Sequence, residues 1–244
     1  MDESDLVINY NKTDLLLLDS ANYSDEYPSL LMKSIMTRNN VLSKTLIKNG
    51  IGLKTRRKRD NMSAFLLAIE QNNLYIAKKL YKKCGNIEDM DINNRTALLI
   101  AIQNGALNIV DYLIMLGANV NHCSKGGYNS LIMAIISENG GNLTLIEDLL
   151  KSGVNVNIQD DKGCTSLMYA VKKGYKTIVE ILLKNANPNI KDKYGYSAMK
   201  YAQFSRNDEI IALLLNAGCQ MEVEIDVIEK IVSTINKFID EIKN

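Results

Sequence analysis

The chain has no tryptophan, and its 244 residues include only two prolines, one histidine and three phenylalanines. With so little proline, collagen-like and Pro-rich disordered classes are out. The four cysteines, Cys84, Cys123, Cys164 and Cys219, stand about 40 to 55 residues apart and form no CxxC pair. A disulfide framework or a zinc site needs clustered ligands, so free thiols in a reducing compartment are expected. His122 neighbours Cys123, but two adjacent residues cannot complete a tetrahedral metal site. No metal is expected.

Neither sign of charge dominates. Lys and Arg number 29 against 28 Asp and Glu, a net charge of +1. Nothing global draws the chain to nucleic acid or to an anionic membrane. Long apolar runs are missing too. Leu15 to Leu18 is four residues long and is flanked by Asp14 and Asp19, too short for a membrane span. Asp2, Glu3 and Asp5 do not suit the start of a signal peptide. The expectation is a soluble, cytoplasmic protein. A viral protein or a bacterial effector exported by a non-classical signal reads the same way, and would work in a host cytoplasm or nucleus.

Catalytic signatures are likewise missing. Gly126-Gly127 and Gly140-Gly141 lack the Lys-Ser or Lys-Thr of a phosphate loop. His122 has no evident nucleophile or orienting partner. The Asp160-Asp161 pair falls in a turn, where solvated carboxylates are the ordinary case. No enzyme, no catalytic residue and no cofactor are expected.

What the chain has is a repeat. The clearest unit runs from Thr96-Ala97-Leu98-Leu99-Ile100-Ala101-Ile102 through Asn104-Gly105 and Ile109-Val110-Asp111-Tyr112-Leu113-Ile114 to Gly117-Ala118-Asn119-Val120-Asn121. It recurs from Thr165 to Asn189, and again from Ser130 to Asn157. The small residues Ser34, Ala68, Ala101, Ala134, Ala170 and Ala202 mark one position in six units, at spacings of 34, 33, 33, 36 and 32. This resembles the ankyrin repeat, with its period near 33 and its T-P-L-H-x-A start. The resemblance covers about residues 27 to 220. No unit carries the motif's histidine; Met32, Leu66, Leu99, Ile132, Met168 and Lys200 stand there, leaving more to apolar packing. The units around Ser34 and Ala68 depart further, with Arg38 and Asn72 where the clearest units have glycine.

The physics agrees with the resemblance. Leu98, Ala101 and Ile102 form the buried face of one short helix, and Ile109, Val110, Leu113 and Ile114 that of the next. Gly105 permits the tight link between them, and Gly117 ends the second helix with positive φ. One helix pair cannot bury its apolar face alone, so pairs stack. The expected fold is an all-α ankyrin-repeat solenoid of about six helix–turn–helix repeats with a C-terminal amphipathic helix.

Residues 1–26 are expected to cap the N-terminal side with a short helix near Thr13 to Ser20, followed by the repeat domain over 27–220. Residues 221–244 read as an amphipathic helix, with Ile225, Ile228, Val232, Ile235, Ile239 and Ile242 in about two and a half heptads. That helix either caps the last repeat or drives homo-oligomers through residues 225–242. Val223, Val227, Ile231 and Phe238 widen the apolar stripe, which favours packing on a broad surface. Glu138-Asn139-Gly140-Gly141-Asn142 lengthens one loop by about three residues, as a surface insertion or a private contact loop.

The resemblance implies that partners lie along finger tips and the exposed side of inner helices. Repeat register places Asn93, Arg95, Gln103, Asn104, Lys125, Tyr128, Ile136 and Ser137 there. Asp161, Lys162, Lys172, Lys173, Lys193, Tyr194, Tyr196, Phe204 and Ser205 follow from the later units. Tyr128, Tyr194, Tyr196 and Phe204 stand out, because aromatics dominate binding hot spots. Beside Lys172 and Lys173 they would form a mixed aromatic and basic groove for an acidic, partly hydrophobic segment of another protein. Alternatively, these rings only cover the neighbouring repeat. Lys54, Arg56, Arg57, Lys58 and Arg59 make a basic finger. It reads as a localisation signal, a phosphate contact or a docking site, or as a plain solvated turn.

The function expected is a non-catalytic protein–protein interaction scaffold. The alternative is a self-assembling structural protein that oligomerises through its C-terminal heptads. A wealth of Asn, Lys and Ile hints at an AT-rich genome, and so at a viral or bacterial protein acting on a host factor.

Overall fold

A computed structural model describes residues 11–21, 24, 27–138, 140–221, 233 and 235. Its described residues form thirteen helices, with two isolated β-bridges and no strand. The chain divides into two compact units, Met1–Asp161 and Lys162–Asn244.

In the first unit, α1 (Lys12–Ala21) precedes four helix pairs: α2 (Leu30–Met36) with α3 (Asn40–Asn49), α4 (Ala64–Glu70) with α5 (Leu74–Cys84), α6 (Ala97–Gln103) with α7 (Leu107–Met115), and α8 (Ser130–Ile136) with α9 (Leu143–Lys151). Each helix packs on its partner. The inner helices α2, α4, α6 and α8 also pack in succession. The second unit holds α10 (Ser166–Lys173) with α11 (Lys176–Leu183) and α12 (Ala198–Ser205) with α13 (Asp208–Asn216). There α10 packs on α12 and α11 on α13.

The inner helices of the first unit are buried more completely than a one-faced helix requires. Ala97 to Ile102 are all buried, as are Ala64 to Ile69 and Ser130 to Ile135. A helix packed on one partner and two neighbours has no polar face left, so its sequence is apolar all round. The outer helices keep the one-sided pattern: Ile109, Val110 and Leu113 are buried, and Ile114 is half-buried. Five of the residues that replace the motif histidine, from Met32 to Met168, are buried, while Lys200 is half-buried. In Ser34, the one polar small-position residue, the hydroxyl shares a 2.7 Å hydrogen bond with the Ser43 hydroxyl.

Caps set where the helices begin. Ser29, Ser63, Thr96, Asn129, Thr165 and Ser197 each accept a backbone N–H from the first turn of an inner helix. Between inner and outer helices the turn needs a left-handed residue. Gly105 and Gly174 supply it at φ +67° and +72°. Arg38, Asn72 and Arg206 take the same conformation, at φ +56°, +51° and +51°, with a side chain that disfavours it. In those three turns the next residue is Asn39, Asn73 or Asn207, whose side chain caps the outer helix. Ala106 and Tyr175, after the glycines, provide no such cap. A cap contributes about 1 kcal/mol, which offsets the strain of a left-handed non-glycine residue.

In α1, Leu15 is buried, and Asp19 Oδ1 accepts the Leu30 N–H at 2.6 Å. The expected helix over 221–244 lies outside the described residues except for Met221, Ser233 and Ile235.

Candidate interaction surface

The fingers between repeats are short turns held by buried side chains. In the first unit Asp91 is buried at the base of one finger. Its Oδ1 accepts the N–H groups of Asn93 and Arg95, both at 2.8 Å. Its Oδ2 faces the Arg95 guanidinium, with Nε at 2.8 Å and the salt-bridging nitrogen at 2.7 Å. Arg95 reaches on to Gln103 Oε1 at 2.6 Å. The two expected contact residues are thus joined, and the charge of Arg95 is matched inside the fold. The Lys125 N–H donates to the Asn93 carbonyl at 2.8 Å, and His122 Nε2 lies 2.8 Å from the Asn94 carbonyl oxygen. Fingers in this unit are therefore tied to one another. Tyr128 is half-buried beside Gly126, so part of its ring covers its own turn.

Cys123 hydrogen-bonds the Asn121 carbonyl, and His122 is engaged with Asn94, so the two neighbours do not form a nucleophile–base pair. Burial first, and then the charge of Asp161, push the Cys123 thiol pKa up, away from reactivity.

The basic finger splits into two groups. Arg57 is only 2% exposed. It donates to Asp60 at 2.9 and 2.6 Å and lies 3.7 Å from Glu70. Arg56 pairs with Asp89 and donates to the Asn61 and Met90 carbonyls. Lys54, Lys58 and Arg59 are exposed, and Arg59 lies 3.6 Å from Asp60. Burial opposes ionisation of Asp60. The Arg57 hydrogen bond, the Met62 N–H and the charges of Arg57 and Arg59 outweigh it, and hold its pKa below the ordinary carboxylate value. Two of the five cations therefore serve the fold, which weakens the reading of the segment as one uniform patch.

The second unit repeats the finger with a different partner. Buried Asp192 accepts the N–H groups of Tyr194 and Tyr196 on Oδ1, both at 2.9 Å. Its Oδ2 accepts the Tyr201 hydroxyl, and Cys164 Sγ lies 3.8 Å away. Burial opposes ionisation here too. The Tyr201 hydroxyl, the two N–H groups and the charge of Lys172 outweigh it, so the Asp192 pKa is lowered. Burial and the Asp192 carboxylate push the Tyr201 phenol far above its ordinary value.

Around this centre three of the four expected aromatics assemble, Tyr194, Tyr196 and Phe204, while Tyr128 belongs to the first unit. Tyr196 meets Phe204 edge-on at 5.4 Å between centroids and Tyr194 at 6.2 Å. Tyr201 joins them, 5.9 Å from Tyr196 and 6.4 Å from Phe204. Lys172 Nζ stands 3.7 Å from the Tyr201 ring centroid and 5.3 Å from that of Tyr169, and 3.4 Å from Cys164 Sγ. Lys200 Nζ lies 5.0 Å from the Phe204 centroid. Tyr194 is 73% exposed and Phe204 53%. Lys162 and Lys173 are exposed.

Sequence reasoning placed Tyr194, Tyr196, Phe204 and Lys172, and missed Tyr201, Asp192, Cys164 and Lys200. A signal for Tyr201 was available. It precedes the small residue of its unit, a place where Leu67, Ile100 and Met133 of the first unit are buried and Lys33 is exposed. A tyrosine there must carry its hydroxyl to a partner.

Helix pairs joined by short fingers that buried carboxylates pin define a helical-repeat protein. Residues 31–124, 67–159 and 131–225 each match the family profile described as ankyrin repeats (3 copies). The chain belongs to the ankyrin-repeat family. It is similar to an ankyrin repeat domain from Acinetobacter baumannii, at 28% identity and a TM-score of 0.69, over 78% of this chain and 98% of that one. No curated protein matches it. Ankyrin repeats are generally protein–protein interaction modules and are typically non-catalytic. No described helix is long and apolar enough to cross a membrane.

Proposed function

We propose that this chain is a non-catalytic scaffold that binds another protein through the exposed side of its fingers and inner helices. The contact of the second unit is with an acidic, partly hydrophobic segment. The observation that carries this reading is the exposed aromatic cluster of Tyr194, Tyr196 and Phe204, set among lysines. Large rigid rings bury much area at low entropic cost, and a preformed face loses little freedom on binding. Arg95 and Gln103, joined to each other, and the half-buried Tyr128 contribute contact surface in the first unit. Lys162 and Lys173 add charge in the second. We take 27–220 as the recognition domain, 1–26 and 221–244 as its caps, and the cytoplasm, of the host for a viral or bacterial protein, as its place of action.

Capture of partners from lysate by the full chain and by a Tyr194→Ala, Tyr196→Ala variant tests this. With helical circular dichroism unchanged, the variant is expected to lose the partners. If it retains every one, the aromatic face is not the contact. The heptads of 225–242 support self-assembly as a second reading. Light scattering of the full chain against one ending at Gln220 separates the two, since a folded monomer in both cases removes assembly.

A further inference from the structure

From Lys162 to Met221 the sequence holds eight Lys and one Arg, nine cations, against four acids. Three of those acids, Glu180, Asp208 and Glu209, stand on the outer helices α11 and α13. The fourth, Asp192, is buried and already engaged with Tyr201 and two backbone N–H groups. Positive charge on the fingers and inner helices is therefore in excess. The cations are not equivalent. Lys176 is paired with Glu209 at 3.3 Å. Lys172 makes no salt bridge among the described residues, yet it is not loose: the Tyr201 and Tyr169 rings and Cys164 Sγ all hold its ammonium. A ring positions a cation without neutralising its charge. Lys172 is thus an oriented, exposed charge that the Asp192 carboxylate attracts without forming a salt bridge, one end of a patch whose other end is the Tyr196–Phe204 pair.

We infer that Lys172 is the specificity-determining cation of this face: it receives a carboxylate of the partner's acidic segment, while an aromatic or branched aliphatic side chain next to that carboxylate lies on Tyr196 and Phe204. This deepens the proposed function and rests on it. A lysine whose rotamers are already restricted loses less entropy on pairing than a free one. The adjacent Lys173, also exposed, has no such support. The same unit of charge should therefore count differently at the two positions.

Fluorescence anisotropy of the full chain with a labelled random copolymer of Glu and Tyr decides it, with poly-Glu and oligothymidylate as comparisons. The Glu–Tyr copolymer is expected to bind more tightly than poly-Glu. Lys172→Gln is expected to weaken it about tenfold and Lys173→Gln less than about twofold. Tyr201→Leu, which removes the ring beneath the ammonium, should match Lys172→Gln if circular dichroism shows it folded; Lys172→Gln alone suffices otherwise. Equal losses at Lys172 and Lys173 overturn the inference, because the face then acts as diffuse charge. So does equal binding of poly-Glu, tighter binding of oligothymidylate, or no binding of any probe. None of these touches the loss of partners on changing Tyr194 and Tyr196, by which the broader reading stands or falls.

Discussion

In the first unit Asp91 Oδ1 accepts two finger N–H groups, and in the second Asp192 Oδ1 does the same, so the two turns are pinned alike. The second carboxylate oxygen separates them. Asp91 gives it to the Arg95 guanidinium, and Asp192 gives it to the neutral Tyr201 hydroxyl. In one unit the carboxylate therefore cancels a surface cation. In the other it holds a ring on which Lys172 rests, its charge unmatched by any salt bridge among the described residues. Arg56 with Asp89 and Arg57 with Asp60 extend the first pattern. The partner has also moved, from Arg95 in the finger itself to Tyr201 on the inner helix, while the pinned turn stays the same.

The largest effect expected from breaking this comparison is on stability. Asp91→Ala removes the side-chain acceptor of two backbone N–H groups and strands Arg95, and should cost about 3 kcal/mol. Asp192→Ala removes the equivalent acceptor of two backbone N–H groups but leaves a neutral, half-buried hydroxyl, and should cost about 2 kcal/mol. Urea midpoints of the two variants measure the difference. Equal costs, or a greater cost at Asp192, would show that the guanidinium adds nothing to the first finger.

A smaller effect lies in pH. The folded pKa values of Asp60 and Asp192 are both lowered below the ordinary 3.8. The stability each adds is therefore fully present above its unfolded value, near pH 4, and is lost as pH falls through the lowered folded value. Tyr201 has the opposite sign. Its folded pKa is raised above the ordinary 10, so its contribution is full below about pH 10 and declines as pH rises beyond it. Tyr201→Phe should flatten the alkaline limb of a urea-midpoint profile, because the phenol is gone. It should soften the acid limb too, because Asp192 loses a donor. Unchanged slopes on both sides would detach Tyr201 from Asp192.

The repeat register was legible in the sequence because packing fixes it: the small residue at each inner helix has nowhere else to go. Ser34, Ala68, Ala101, Ala134, Ala170 and Ala202 are all buried as that register requires. Less legible was which cations are matched. Arg57 stands in a run of five charges that reads as solvated, and nothing in the run says that its side chain turns inward to Asp60 and Glu70. Three-residue spacing permits the Asp60 pair, and Glu70, which α4 brings from outside the finger, adds a second carboxylate 3.7 Å away. Tyr201 was passed over for a related reason. The repeat register puts buried Leu67, Ile100 and Met133 but exposed Lys33 at its position, and only the buried carboxylate of Asp192, nine residues earlier, makes its hydroxyl consequential. Pattern shows where a side chain points, while the partner it meets is set by how the finger folds against its own inner helix.

The smallest expected effect concerns the turns, where glycine and an asparagine cap coincide at Gly141–Asn142 and alternate in the other five. Arg206 in the second unit and Arg38 in the first are left-handed, and each is followed by a capping asparagine; Gly174 and Gly105 have the better conformation and no side-chain cap. If strain and cap offset each other, removing the strain alone must leave a net gain. Arg206→Gly keeps the Asn207 cap and relieves the side-chain clash, less the extra freedom that glycine gives the unfolded chain. The expected gain is about 0.5 to 1 kcal/mol, and Arg38→Gly should gain a similar amount. Because Arg206 is exposed, little packing is lost with it. Thermal or urea unfolding of the two variants reads the gain directly. A neutral result at both sites would mean that the left-handed arginines carry no strain, and that the asparagine caps offset nothing.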